Sequence, residues 1–299
     1  MKLAVYGAGY MGRLHAEKFA ALANVRIVSV TDPDPERCRA LAPLVKGAGE
    51  KPGAAVVAVP TEKHYDVVSE CLEQGLHVLV EKPLASTAPQ ARKLVELARK
   101  KDRLLQVGHV ERYNSVFTAL ARRMARPLYI EAERLAGFKQ RGADVDVVLD
   151  LMIHDIDLAL ALCGKEISGV SACGFRVLTG EIDIANARIE FADGCVANLS
   201  ASRVSQAPVR KLRVFQTDLY ASADLQAGKL RYVKNAGGGL ESTEDAQEKG
   251  DALAMQARAF VQSVLRKEKP AVSGEDGLRA LQTALQIGTL VRERLERFG

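Results

Sequence analysis

The sequence lacks the features that mark several large classes of protein. Its five cysteines are scattered and odd in number, and no two have C-x-x-C spacing. Neither a disulfide framework nor a zinc cluster is therefore expected. No apolar run is long enough to cross a membrane, and the N-terminus lacks the basic-then-apolar pattern of a signal peptide. We therefore expect a protein of the reducing cytoplasm, without a membrane span or a bound metal.

A large excess of one charge is also missing. The formal net charge is +5 over 299 residues, which is too small to indicate nucleic-acid binding. The excess is uneven, since residues 92–141 contain 13 Lys and Arg against 5 Asp and Glu. Part of it is the solvated outer face of a predicted helix. The rest lies where a second domain is predicted to begin, at Arg112, Arg134, Lys139 and Arg141.

A glycine-rich turn stands near the start of the chain. Residues 2–6 (KLAVY) predict a short apolar strand, and GAGYMG follows at once, ahead of a helical pattern that runs to about Ala23. This is G-x-G-x-x-G in its required context of strand, turn and helix. The first glycine permits the turn, the second lets backbone approach a pyrophosphate, and the third lets helix and strand pack closely. The predicted phosphate-binding residues are Gly7, Ala8, Gly9, Tyr10, Met11 and Gly12.

An acidic residue stands where this motif requires one. The second predicted strand, Val25–Thr31, is followed by Asp32, 20 residues past Gly12. A carboxylate there accepts hydrogen bonds from the adenosine ribose hydroxyls and repels the 2′-phosphate of NADP. We therefore expect NAD as the cofactor, with NADP less favoured. The alternative for Asp32 is a helix N-cap before Pro33, a role for which Asp34 is better placed.

A lysine follows a buried strand in LHVLVEKPL, residues 76–84. The apolar run at residues 78–80 is bounded by Gly75 and Pro83, as in a strand that is buried on both faces of a parallel sheet. In open α/β sheets, ligands bind beyond the carboxyl ends of the strands. Lys82 is therefore predicted to be a cation held where a substrate would lie, and the alternative is a solvated loop lysine.

Strand and helix patterns alternate from residue 2 to about residue 108. This alternation predicts a doubly wound parallel sheet. The segment Val59-Pro60-Thr61 follows a strand and is expected to contact the cofactor, as are Glu81 and Lys82. For His64, in the first turn of the next helix, cofactor contact and a capping or packing role are both open.

The pattern changes after Asn114. Apolar residues recur every three or four positions over Val147–Leu162, which predicts a helix with Asp150 and His154 on one face. Strand-like runs from Ser168 to Val233 predict a mostly antiparallel sheet. Residues 234–250 show no apolar periodicity and are predicted to form a mobile loop, and two helices follow, at about 251–267 and 275–298.

These groups suit the oxidation of an alcohol by hydride transfer. The protein must then remove a proton and orient the reacting carbon. A histidine suits the proton because its unperturbed pKa lies near neutrality, a carboxylate one turn away can orient the imidazole, and a lysine can stabilise alkoxide charge. The alternative for Asp150 and His154 is a surface pair at i, i+4 spacing, which the flanking apolar residues weaken.

With these motifs the chain resembles the glucose–fructose oxidoreductase / inositol dehydrogenase / MocA family over essentially its full length. The resemblance rests on GAGYMG, Asp32, VPTEKH, GLHVLVEKP and the D-x-x-x-H of DLMIHDIDL. It implies an N-terminal Rossmann domain and a C-terminal α+β domain with a large, mostly antiparallel open sheet, here predicted at 1–118 and 119–299, with the last helix packing back towards the first domain. It also implies that Lys82, Asp150 and His154 are the catalytic set. The glycine-rich approach usual in the family reads RGADVDVVLD here, which leaves the substrate loop unassigned.

Within the family, GHVERYN (108–114) and DVDVVLDLMIHDIDL are most similar to members that act on nucleotide sugars. This similarity implies oxidation of a sugar such as UDP-N-acetylglucosamine at C3, a link to lipid A synthesis, and a homodimer or homotetramer formed through the C-terminal sheet. Predicted substrate contacts are Arg112, Asn114, Arg141 and His154. Two alternatives stay open, a non-catalytic NAD-binding sensor of the same fold and a reductase of a biliverdin-like or dihydrodiol-type substrate.

Overall fold

The computed structural model describes residues 1–138, 140, 142, 144–237, 239–247 and 250–298. The chain divides into two compact units. Unit one comprises Met1–Tyr113 and Asp251–Leu281, and unit two comprises Asn114–Gly250 and Gln282–Gly299. The first segment of unit one ends at Tyr113, near the predicted boundary after residue 118, and residues 251–281 also belong to this unit.

The strands and helices follow in chain order. The strands are β1 (Lys2–Tyr6), β2 (Arg26–Thr31), β3 (Ala54–Val57), β4 (His77–Val80), β5 (Leu105–Val107), β6 (Tyr129–Leu135), β7 (Ile167–Phe175), β8 (Ile184–Phe191), β9 (Val196–Ser202), β10 (Val209–Gln216), β11 (Leu219–Asp224), β12 (Lys229–Asn235) and β13 (Leu240–Ala246). The α-helices are α1 (Tyr10–Ala20), α2 (Pro35–Leu41), α3 (His64–Glu73), α4 (Ala88–Lys100), α5 (Ser115–Ala121), α6 (Ile153–Cys163), α7 (Ala252–Arg266) and α8 (Gly274–Phe298).

Unit one is built on a five-stranded parallel sheet with the order β2-β1-β3-β4-β5. This confirms the predicted doubly wound sheet. The chain runs outwards from β1 in both directions, so the carboxyl ends of β1 and β3 flank the point where the winding reverses. Ligands of open α/β sheets bind in that crevice, and the glycine-rich turn follows β1.

The core of unit one joins this sheet to helices from both ends of the chain. Leu3, Val56 and Leu79 are fully buried beside Phe19 of α1 and Phe260 of α7. The two phenyl rings meet edge to face, with centroids 6.2 Å apart. Each fully buried side chain of this size contributes roughly 1.5–3 kcal/mol, so α7 is integral to the first unit although it lies far along the sequence.

Unit two contains an eight-stranded sheet with the order β13-β12-β11-β10-β6-β9-β8-β7. Neighbouring strands are antiparallel except β6 and β9, which pair in parallel. The prediction of a large, mostly antiparallel sheet is confirmed. Buried and half-buried residues alternate along β6, as in a sheet with one covered face. Helix α6 contacts β6 and β9, while α5 contacts β11 and β12.

The prediction for residues 234–250 is wrong in its central part. Residues 240–246 form β13, which pairs with β12 from Lys229↔Ala246 to Asn235↔Leu240. This edge strand is exposed along almost its whole length, so neither of its faces requires apolar residues. Backbone hydrogen bonds define it, and these leave no period in the sequence. Glu248 and Lys249, within the same predicted loop, lie outside the described residues.

Candidate active site

The glycine-rich turn has three glycines with different surroundings. Gly7 has φ +89°, and a Cβ added to it would lie 2.5 Å from the carbonyl oxygen of Ala58. A Cβ on Gly12 would lie 1.8 Å from the carbonyl oxygen of Gly7. At Gly9 the nearest atom would be Nη1 of Arg37, at 3.9 Å. The fold therefore requires the first and third glycines, whereas at the second there is open space for a pyrophosphate to approach the start of α1.

Asp32 joins the end of β2 to this turn. The N–H of Ala8 donates to Oδ2 of Asp32 at 2.7 Å, and the N–H of Asp34 donates to Oδ1 at 2.9 Å. The N-cap of α2 is Asp34, whose side chain accepts from the N–H of Glu36. The capping role therefore belongs to Asp34, and Asp32 presents a carboxylate at the strand end where a ribose is expected.

We expect Asp32→Asn to lower the preference for NAD over NADP by about tenfold, because the charge facing a 2′-phosphate is removed. The measurement is the Kd of each cofactor by calorimetry. Asp34→Asn is the matched control, since it removes a charge two residues away and keeps a good capping side chain. Wild-type protein that binds NADP more tightly than NAD would show that Asp32 does not discriminate between them.

His64 has a packing role in the structure, one of the two roles that the sequence left open. The ring is buried in unit one, with Nδ1 2.8 Å from the carbonyl oxygen of Pro83 and Nε2 3.0 Å from that of Val59. Burial lowers its pKa, and a neutral imidazole donates to one of these carbonyls at a time. His64 therefore connects the segments that follow β3 and β4, and its contact with the cofactor stays a prediction.

The segment after β4 holds Lys82 in a half-buried position. Glu81, a predicted cofactor contact, accepts a hydrogen bond from Nε2 of His15 on α1, at 2.7 Å. Burial would raise the pKa of Glu81, but this bond and the nearby charges hold it below its ordinary value. A Cβ on Gly108 would lie 3.1 Å from Cα of Glu81. The residue before Lys82 is therefore packed and hydrogen-bonded, as a precisely held cation requires.

Two buried histidines around this segment were not predicted from the sequence. His15 is fully buried and belongs to α1. His109 follows β5, and burial, with the charges of Lys82 and Arg112, lowers its pKa to about 3. His109 is therefore neutral at physiological pH. The signal for His15 was its place on the sheet-facing side of the helix, three residues after Gly12, and His109 stands directly after a strand.

Asp150 and His154 lie in unit two on a helix that begins irregularly. Residues Val148–Met152 form a π-helical turn, and α6 continues from Ile153. The predicted uniform helix over 147–162 is therefore corrected at its start. A spacing of four residues is about one turn in both geometries, so both residues remain on one side of the helix, and both are half-buried. Such π-turns occur frequently at functional sites.

Of the predicted basic residues, Arg134 is used inside the fold. Its Nε and Nη2 donate to the two carboxylate oxygens of Asp155, each at 2.8 Å, and both side chains are buried. This bidentate pair holds the guanidinium of Arg134 inside unit two. Arg112 donates from Nη2 to the carbonyl oxygen of Ala271, at 2.9 Å. Lys139 and Arg141 lie outside the described residues.

Asn114 also has a structural role. Its Oδ1 accepts from the N–H of Val116 and so caps α5, while its Nδ2 donates to the carbonyl oxygen of Leu225, at 3.1 Å. Both ends of the amide therefore help to build unit two. The substrate contact of Asn114 stays a prediction, and the sequence does not distinguish a capping asparagine from one that faces a ligand.

Among the residues that the structure describes, no group of three or more His, Cys, Asp or Glu is arranged to hold a metal ion. In the same residues, no helix is long and apolar enough to cross a membrane.

Comparison with known proteins gives matches over most of the chain. Residues 1–109 match the family described as "Oxidoreductase family, NAD-binding Rossmann fold", and residues 116–220 match the "GFO/IDH/MocA C-terminal domain". The chain is 36% identical to UDP-N-acetylglucosamine 3-dehydrogenase of Acidithiobacillus ferrooxidans, over 99% of each chain. It is 28% identical to scyllo-inositol 2-dehydrogenase (NAD(+)) of Bacillus subtilis, over 69% of this chain and 68% of that one. A solved structure of the Acidithiobacillus enzyme superimposes with a TM-score of 0.93, at 34% identity, over 98% of each chain.

Proposed function

The chain belongs to the glucose–fructose oxidoreductase / inositol dehydrogenase / MocA family of NAD-binding oxidoreductases, and we propose that it oxidises the C3 hydroxyl of UDP-N-acetylglucosamine. The observation that carries this proposal is the 36% identity over 99% of both chains with an enzyme of that activity. The inositol dehydrogenase match covers less of the chain at lower identity, so it supports the family rather than the substrate.

The cofactor is held, in this proposal, by residues of unit one. The open space at Gly9 and the start of α1 receive the pyrophosphate, and Asp32 receives the adenosine ribose. Val59, Pro60 and Thr61 follow β3 and form a further wall of the same crevice. NAD, when bound, supplies the acceptor for the hydride that leaves the C3–H bond.

Three side chains are assigned to removing the hydroxyl proton and to stabilising the charge of the transition state. His154 takes the proton of the C3 hydroxyl, and Asp150 orients the imidazole and stabilises the imidazolium. Lys82 donates a hydrogen bond to the same oxygen and stabilises the alkoxide charge that develops on it. The packed neighbourhood of Glu81 and the π-turn at Asp150 support these roles, because the first fixes the residue before Lys82 and the second places Asp150 on a helical turn.

The diphosphate of the substrate is assigned to two basic residues, Arg112 near the end of the first segment of unit one and Arg141. Each charge-assisted contact is worth roughly 1.5–3 kcal/mol, or about 10- to 100-fold in affinity. We therefore expect KM for the nucleotide sugar to rise steeply with ionic strength, which a neutral sugar would not show.

The test is a panel of UDP-N-acetylglucosamine, UDP-glucose, free N-acetylglucosamine and inositols, assayed with NAD and with NADP by NADH or NADPH absorbance. We expect kcat/KM for UDP-N-acetylglucosamine to exceed that for the free sugar by at least about 100-fold. Substrate carrying deuterium at C3 should pass that label to NADH. Deuterium retained in the oxidised sugar would show that a carbon other than C3 is oxidised. Faster turnover of an inositol than of UDP-N-acetylglucosamine would overturn the nucleotide-sugar assignment.

The two other functions are outcomes of the same panel. NAD binding without turnover of any sugar would favour a non-catalytic sensor of this fold. Oxidation of NADH or NADPH by a biliverdin-like or dihydrodiol-type compound would favour a reductase. The oxidoreductase family match and the Lys82, Asp150 and His154 set support the dehydrogenase over both.

We also propose the wider setting expected for this activity, a cytoplasmic enzyme that supplies lipid A synthesis and assembles through its large sheet. One face of that sheet carries neighbouring aromatic rings from three strands. Tyr129, Phe215 and Tyr220 are cross-strand neighbours, with ring centroids 5.5 and 4.7 Å apart, and Phe215 is exposed. Aromatic residues on an exposed sheet face support a homodimer or homotetramer formed there.

A further inference from the structure

A buried ion pair in unit two lies beside the turn that carries Asp150. Asp183 is 0% exposed and Arg203 is 5% exposed, and Nε of Arg203 lies 3.7 Å from Oδ1 of Asp183. The N–H of Arg203 also donates to the carbonyl oxygen of Asp183, at 3.0 Å. No part of the sequence motif or of the proposed catalytic set includes either residue.

Asp183 is held from the other side by an unusual number of donors. The backbone N–H groups of Val177, Leu178 and Thr179 donate to its Oδ2 at 2.7–2.9 Å, and the Thr179 hydroxyl donates to Oδ1 at 2.7 Å. Burial would raise the pKa of Asp183, but these bonds lower it to about 2. The carboxylate is therefore an ionised, immobile support for the guanidinium of Arg203.

The two terminal nitrogens of that guanidinium donate hydrogen bonds to backbone carbonyls just before the turn that carries Asp150. Nη1 of Arg203 donates to the carbonyl oxygen of Gly142 at 3.0 Å, and Nη2 donates to the carbonyl oxygen of Val145. A planar fork with fixed donors can hold two carbonyls at once, which an ammonium cannot do in the same way. Gly142 and Val145 are thus both held by the side chain of Arg203, the residue directly after β9.

Gly142 lies near Asp150, since a Cβ added to Gly142 would lie 3.7 Å from Oδ2 of Asp150. Asp146, which follows Val145, accepts the N–H of Leu149 on its side chain and the N–H of Asp150 on its carbonyl. The two carbonyls that Arg203 holds therefore lie next to the groups that support the Asp150 turn.

We propose that Arg203, oriented by Asp183, is a positioning residue that holds the backbone of Gly142 and Val145 beside Asp150 and so shapes the substrate side of the active site. The inference rests on the proposed role of Asp150. Gly142 and Val145 belong to RGADVDVVLD, the stretch that departs from the glycine-rich approach usual in the family. Arg203 acts through their backbone and does not itself take part in the chemistry.

The test compares Arg203→Lys with Arg213→Lys, a matched control on β10 whose arginine pairs with Glu131 at 2.9 Å. Both variants keep the positive charge, and Arg203→Lys loses the planar pair of donors that binds the Gly142 and Val145 carbonyls. We expect Arg203→Lys to lower kcat/KM for UDP-N-acetylglucosamine by about tenfold or more, with NAD Kd within twofold of wild type. The control should leave both values unchanged.

A second measurement keeps this inference separate from the substrate assignment. Hydrogen exchange at Val145 and Val147 should be about tenfold faster in Arg203→Lys and unchanged in Arg213→Lys. Unchanged exchange at these amides would overturn the proposal. Faster exchange in Arg203→Lys without a fall in kcat/KM would also overturn it, since the contact of Arg203 with Gly142 and Val145 would then not affect the reaction. If the wild type oxidises no sugar of the panel, the proposed function fails, and faster exchange would still support the hold on Asp150.

Discussion

Replacing His154 by alanine is expected to lower kcat by about 10²–10⁴-fold, because the group that accepts the hydroxyl proton is lost. Lys82→Ala is expected to lower kcat by a similar order, since the alkoxide loses its charged donor. NAD Kd should change by less than twofold in both variants, because neither side chain belongs to the glycine-rich turn or to Asp32. The measurements are kcat with the nucleotide sugar and NAD Kd by calorimetry.

The double variant and a lysine control sharpen this expectation. Residues that act on one transition state are not additive, so Lys82→Ala/His154→Ala should be little slower than the worse single variant. Lys63→Ala removes an exposed lysine of unit one and should leave kcat unchanged. His154→Ala that keeps near-wild-type kcat with the true substrate would refute its role as the base, and Lys82 would then be the first candidate.

Alanine at the three motif glycines is expected to separate folding from cofactor binding. Gly12→Ala places a Cβ 1.8 Å from the Gly7 carbonyl oxygen, and Gly7→Ala places one 2.5 Å from that of Ala58. Backbone must move in both, so we expect each to destabilise the protein by at least about 1–3 kcal/mol, the usual range for overpacking. Gly9→Ala meets nothing closer than 3.9 Å and should leave Tm without NAD unchanged.

Gly9→Ala should weaken NAD binding although it leaves the stability of the protein unchanged. Its new methyl group would occupy space that the pyrophosphate needs, so NAD Kd should rise by at least about tenfold although the fold is intact. Gly53→Ala is the control, because nothing lies within 4 Å of its added Cβ. The experiment pairs Tm without cofactor with calorimetry for NAD. If Gly9→Ala binds NAD as the wild type does, the pyrophosphate does not lie over this turn.

The sequence alone was sufficient wherever a local rule governs the structure. A tight turn needs glycine at φ +89°, a parallel strand buried on both faces is a continuous apolar run, and a capping Asp34 precedes Pro35. These rules act over a few residues, so they predicted the parallel sheet, the glycine-rich turn and the position of Lys82 after β4. The four-residue spacing of Asp150 and His154 survived even a π-turn, because it is about one turn in either geometry.

Only the tertiary structure decided which polar side chains were available. The sequence indicated neither the pairing of Arg134 with Asp155 nor the capping of α5 by Asn114. Contacts between residues far apart in the sequence leave no periodic trace, and for this reason the pairing of Asp183 with Arg203 was not predicted. Strand β13 was missed for a different reason, since it pairs with the adjacent β12 and is exposed along almost its whole length. The sequence thus determined the cofactor and the class of chemistry from local geometry. Long-range packing decided which side chains build the fold and which remain for the substrate.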